Sequence, residues 1–399
     1  MELILRIAAL LAGLGLLWTV IRAAVGTMLI PRPTRQRVSR WVGRLVHTLF
    51  HLFARRARSY AQLDHLLAAQ GPSAVLAFLA VFLLAFLGAF ALIFYGLGGT
   101  PIVQAFYLAG SGLSTLGTFN ASGLGPVAVL IASAFMGSTV VAVFIGFLLT
   151  LYAAYTARET ALAGMALIIG EPAWGPELLV RLRRLNNPLE NADTTAWIDW
   201  ICSLRINHYV YPVLNHFRSP FPNRHWVVSL LALCDAAAIR LAAVPGERDL
   251  ALIRLLAEGA NAFDLLRESE IARTHVYAGP PPPSPWLIER AILEPSQADT
   301  APVPDPGLSR EEWDRAMSFL EENQIALNPD RDASWRAFCR LRSIYAEPAY
   351  FLASALCAIP APWSGPRHGR TASKFPTHWP QLAREHWEER HGVARPSSP

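Results

Sequence analysis

Residues 101–123 read PIVQAFYLAGSGLSTLGTFNASG, and the fold turns on them. Pro101 follows Gly98, Gly99 and Thr100, which suits the start of a helix. About twelve residues of moderate hydropathy come next, enough for a short helix and too few to cross a bilayer core of about 30 Å. The small, hydroxyl-bearing run Thr115, Leu116, Gly117, Thr118 follows. The chain then leaves through Asn120, Ser122, Gly123 and Gly125. Irregular backbone survives at membrane depth only where it is buried in protein or lines water. A half-helix ending in hydroxyl-rich irregular backbone fits the second case. Its carbonyl and Thr oxygens are suited to replacing an ion's hydration shell.

The surroundings of that stretch are apolar. No Asp, Glu, Lys or Arg occurs between Asp64 and Arg158. The whole chain is 53% hydrophobic and 16% charged, against roughly 25% charge in ordinary soluble domains. Residues 73–97 and 126–155 therefore read as spans on either side of the short helix, and residues 3–30 as an earlier span. With no early basic region and no small-residue cleavage site, 3–30 is expected to be retained rather than removed as a signal peptide. The stretch 31–58 carries Arg32, Arg35, Arg37, Arg40, Arg44, Arg55, Arg56 and Arg58 and no acid. The positive-inside rule makes it cytoplasmic. The N-terminus is then outside and everything after the third span cytoplasmic, in a multi-pass inner-membrane protein. Trp41, Val42, Leu45, Val46, Leu49, Phe50 and Phe53 recur at helical spacing, predicting a basic amphipathic helix on the inner membrane surface.

Beyond residue 160 the apolar pattern becomes amphipathic with helical period. Residues 226–244 look like a fourth span, but Asp235 and Arg240 interrupt them, and a buried helix of a bundle whose Asp235 pairs with an arginine is expected. Residues 350–359 are too short to span. The expected divisions are 1–30, 31–72, 73–157, a helical domain 158–278, a Pro-rich linker 279–307, a helical segment 308–363 and a polar tail 364–399. Ser309 with Glu312 predicts a capping box. No internal repeat is found. Lys374 is the only lysine. This Arg bias is read as coding preference, and no nucleic-acid binding is expected. Cys202, Cys234, Cys339 and Cys357 are not at metal-ligand spacing and are expected to be reduced thiols.

The order span, short helix, Thr-x-Gly, span resembles the pore domain of two-span potassium channels, over about 85 residues, 73–157. Against that family's Thr-Val-Gly-Tyr-Gly-Asp filter, Thr115 and Gly117 match and Leu116 takes the place of Val. Thr118 stands for Tyr, Phe119 for the second Gly and Asn120 for Asp. The resemblance implies a filter over Thr115–Asn120, K+ in the pore and an inner helix that bends or packs closely at Gly137 and Gly146. One pore segment per chain cannot enclose a pathway, so a homo-tetramer follows. The expected fold class is an all-α membrane protein, with three transmembrane helices, a re-entrant pore helix with a filter-like loop, and a helical cytoplasmic domain. The departures at 118–120 remove a bracing ring, a flexible backbone position and an acidic mouth. They favour a second reading, a non-conducting sensor or scaffold that keeps the channel fold and signals through its cytoplasmic helices.

Other chemistry is thin. His47 and His51 are four apart but lack a general base between them and a third ligand, so no metal site is expected. Arg181, Arg183 and Arg184 suit either anionic lipid or a solvated helix face. No Ser-His-acid triad, carboxylate pair or nucleotide-binding glycine loop is found, and no enzymatic activity or cofactor is expected.

Overall fold

The computed structural model describes residues 1–29, 37–54, 56–57, 59–98, 100–118, 121–187, 189, 194–246, 249–274 and 303–367, all of them helix, turn or coil. The linker expected at 279–307 lies outside the described residues up to 302, and the tail does from 368. Two compact units emerge: Met1–Thr48 with Gln70–Tyr155, and Leu49–Ala69 with Thr156 onward.

In the first unit, α1 (Glu2–Met28) packs along α4 (Gln70–Gly96). The approach is set by glycine. A Cβ on Gly13 would lie 2.9 Å from the Ala89 carbonyl oxygen, and one on Gly96 would lie 2.8 Å from that of Arg6. Backbones this close are the usual device for holding helices together where apolar solvent gives no hydrophobic drive. The pairing of 10 with 96 and of 13 with 89 and 93 makes the helices antiparallel. Phe82, Phe86, Phe90 and Phe94 of α4 fill the core between Val20 and Ala23 of α1 and Leu108 of α5 (Ile102–Leu113). Arg6 near the start of α1 pairs with Glu2 at 2.8 Å.

The apolar stretch expected at 126–155 is part of a 46-residue helix, α6 (Leu124–Ile169). Hydropathy marks where the chain stops being apolar, not where its helix stops. The two units divide within α6, between Tyr155 and Thr156. Among the described residues, four helical stretches are by length and composition able to cross a membrane: Glu2–Met28, Tyr60–Gly96, Leu124–Ile169 and Trp226–Ala243. Within their most apolar windows the first three are 11%, 33% and 22% buried, and the fourth is 89% buried.

That fourth helix, α9 (Trp226–Ala243), is the centre of the second unit. Around it pack α7 (Gly175–Arg184), α10 (Leu250–Thr274), α12 (Arg331–Arg342) and α13 (Ala346–Ala355). The arginine expected beside Asp235 is Arg342, 107 residues away, with Nε at 2.9 Å. The described residues of 158–274 and 308–363 contribute to one core, in which Trp174, Trp313, Phe338 and Trp363 meet. The capping box forms as expected at the start of α11 (Arg310–Glu322). Ser364 and Arg367, expected in the tail, are buried; the Arg367 guanidinium donates to the carbonyls of Ala358, Ile359, Ser364 and Gly365. Residues 59–68 (α3, Tyr60–Ala68) belong to this unit too, because Arg218 bridges Asp64 to the carbonyls of Leu356 and Cys357.

Candidate functional site

The short helix stands where the sequence places it. Pro101 caps α5 in an extended conformation, and its carbonyl accepts the first helical bond, from Ala105 N, at 2.9 Å. The inward face is Ala105, Leu108, Ala109, Ser111 and Gly112; Phe106 and Tyr107 are exposed.

The end of α5 is closed by a Schellman motif. Leu116 N donates to Ser111 O at 3.1 Å and Thr115 N to Gly112 O at 2.9 Å, with Thr115 left-handed at φ +55°. Glycine is the usual residue at that position. A β-branched side chain there is strained, and such strain concentrates at functional segments. Gly117 is left-handed as well, at φ +66°. Among the described residues, chain neighbours apart, no atom lies within 4 Å of the place its Cβ would take, so it is conformation rather than space that favours glycine there.

Oxygen dominates the residues that follow. Ser114 Oγ donates to Gly110 O at 2.6 Å, Thr115 Oγ1 to Ser114 O at 2.7 Å, and Thr118 Oγ1 to Ser111 Oγ at 3.4 Å. Residues 114–118 are exposed within one chain. They sit at the carbonyl end of α5, where the helix dipole places roughly half a negative charge. The arrangement offers neutral hydroxyl and carbonyl oxygens with no carboxylate, which suits a weakly held cation. Phe119 and Asn120 lie outside the described residues.

α6 crosses α5 at two tight points. A Cβ on Gly137 would fall 2.0 Å from Leu113 O, and a Cβ on Gly112 would fall 2.0 Å from Ser133 Oγ. Gly137 is thus a contact residue that fixes the depth of the Thr115–Thr118 segment against α6. Gly146 has open space around it, and α6 is helical through both glycines. Ser111, Gly112 and Ser133 were not singled out in the sequence. Their small size in an apolar setting was the only signal available.

Of the remaining candidates, His47, Arg181 and Arg184 have partners within the chain. His47 Nδ1 lies 3.3 Å from Gln70 Nε2, and no group of three or more His, Cys, Asp or Glu able to hold a metal occurs among the described residues. Arg181 pairs with Glu177 at 2.6 Å, and Arg184 bonds Asn323 at 2.7 Å. No protein-family model, curated protein or solved structure matches this chain.

Proposed function

We propose that this chain is an ion-channel-like membrane protein, a homo-tetramer around a cation pathway of potassium-channel type with an atypical filter. One observation carries the proposal. A twelve-residue helix stands between two span-length apolar helices and ends in an exposed, oxygen-rich segment whose backbone is left-handed at Thr115 and Gly117. On this reading α1, α4 and α6 cross the membrane, α9 stays within the cytoplasmic unit, and α5 enters without crossing. Backbone carbonyls of Thr115, Leu116, Gly117 and Thr118 line the pathway and stand in for water around the ion. The N-terminus lies outside and the C-terminus in the cytoplasm, as the arginines of 31–58 require.

The Schellman closure favours the second reading, a non-conducting sensor with the same architecture. It spends the amide hydrogens of Thr115 and Leu116 on capping α5, whereas an open filter strand leaves its backbone unfolded from the helix. Ion flux into liposomes decides between the two. Wild type should conduct. Gly117→Val, which cannot hold φ +66° without strain, should abolish flux while cross-linking still stops at four chains. A Gly117→Val protein that conducts like wild type removes Thr115–Thr118 as a filter, and a wild type that never conducts leaves the sensor.

A further inference from the structure

Helix α2 (Arg37–Ala54) leaves an apolar stripe uncovered. Trp41, Leu45, Leu49, Leu52 and Phe53 are 62%, 46%, 45%, 51% and 50% exposed. Their spacing of four, four, three and one puts all five on one side of the helix. Val42 and Val46, at the edge of the same arc, are buried, as is Ala54. Five large apolar groups aligned on one exposed strip make a surface that a soluble protein rarely leaves in water.

The charge around this stripe has one sign. No acidic residue occurs between Glu2 and Asp64, and eight arginines fall within 31–58. The Arg56 guanidinium lies 5.9 Å above the Phe53 ring, placing a cation beside the apolar strip. The helix is also tethered. Eight residues join it to the end of α1, and α3 leads from it into α4.

We propose that the Trp41–Phe53 face of α2 is a docking surface for the anionic lipid of the membrane that α1 and α4 cross. The side chains enter the region just below the headgroups, and the positive charge of this arginine-rich stretch attracts the lipid phosphates. A second copy of the same helix is disfavoured, because self-pairing would bring two arginine-rich, acid-free segments together. An acidic soluble protein is disfavoured by the tether, which keeps the helix at the bilayer surface whether or not such a partner is present. Attraction between a polybasic segment and anionic lipid is short-ranged and salt-sensitive. Immersion of α2 therefore depends on lipid charge, and conduction is not required for it.

The test uses the full chain carrying Leu45→Cys with a nitroxide label, on a Cys202→Ser background; the other three cysteines are buried. It is reconstituted in vesicles of phosphatidylcholine alone and of phosphatidylcholine with phosphatidylglycerol. With phosphatidylglycerol the label should be open to oxygen and closed to a water-soluble nickel chelate, and molar salt should reverse this. Adding Leu49→Glu, at an exposed position, should return the label to water with the melting temperature unchanged. Equal immersion in both lipids would overturn the assignment to anionic lipid. A label in water throughout would overturn membrane docking, and a label closed to both oxygen and the chelate in both lipids would show protein as the occupant instead.

Discussion

In residues 1–48 and 70–155 the helices meet closely at glycines, against backbone at Gly13, Gly96 and Gly137 and against the Ser133 side chain at Gly112. In residues 49–69 and 156–367 they are pinned by guanidinium groups. Arg342 is fully buried, and its five N–H donors meet five acceptors: both Asp235 oxygens, the Tyr350 hydroxyl and the carbonyls of Pro306 and Trp363. Arg158 bonds the carbonyls of Leu214 and Phe217 at 3.1 and 2.7 Å, and His208 Nε2 at 3.3 Å. The difference follows composition: no charged residue occurs between Asp64 and Arg158, and charged residues recur beyond that interval. Where charge is absent, between Asp64 and Arg158, helix association depends on close van der Waals contact. Where charged residues recur, apolar burial is joined by a few buried arginines that collect carbonyls loops leave unpaired. Lysine, with three donors on one atom, has no such reach. The arginine bias, read from sequence as coding preference, thus includes side chains with structural work.

The largest expected effect breaks the second device. Asp235→Leu leaves Arg342 buried without its counter-ion and should cost about 3–5 kcal/mol, the usual penalty for a widowed buried charge. Thermal unfolding followed by protease sensitivity should show residues beyond 156 becoming labile while the helices of the first unit stay protected. Equal loss in both units would mean that they do not differ in what holds them.

Acid should act on the same unit next. Burial first, and then the Arg158 guanidinium, hold the His208 imidazole down at about 3. Arg158 can only donate, so Nε2 accepts and the Nδ1 proton goes to Asn215 Oδ1, 2.7 Å away. His225 is buried and also lies well below its usual value, for the same first cause. A group depressed in the folded state gives stability that is complete above the unfolded value near 6.5 and is lost as pH falls below it. Two units of pH below that point should cost roughly 2–3 kcal/mol for His208 alone. Melting temperature against pH, in wild type and His208→Gln, checks the sign: the variant should melt lower at pH 8 yet show a shallower fall toward pH 4.5.

The smallest effect probes the glycine device. Gly137→Ala pushes a methyl group onto the Leu113 carbonyl and should cost about 1–3 kcal/mol, as overpacking usually does. Gly146→Ala meets open space and should be neutral or slightly stabilising. Melting in mild detergent distinguishes the pair. A loss of flux in Gly146→Ala at unchanged stability would identify that glycine as a bending point.

Sequence alone determined the local and compositional features. The charge-free interval from 65 to 157 located the apolar helices, Pro101 and the residue count gave the short helix ending at Leu113, and Ser309 with Glu312 gave a capping box. Each is written within a few residues, because helix starts, apolar length and caps are properties of neighbours in the chain. Tertiary structure decided the rest. That Asp235 meets Arg342, that Asp64 meets Arg218 and so draws residues 59–68 into the second unit, and that Gly137 meets the carbonyl of Leu113 were not legible, since each joins distant residues. The same holds for Thr115, whose left-handed φ follows from how α5 ends rather than from its own preference. A buried arginine looks like any other in sequence; only packing brings together the carbonyls that give it a place.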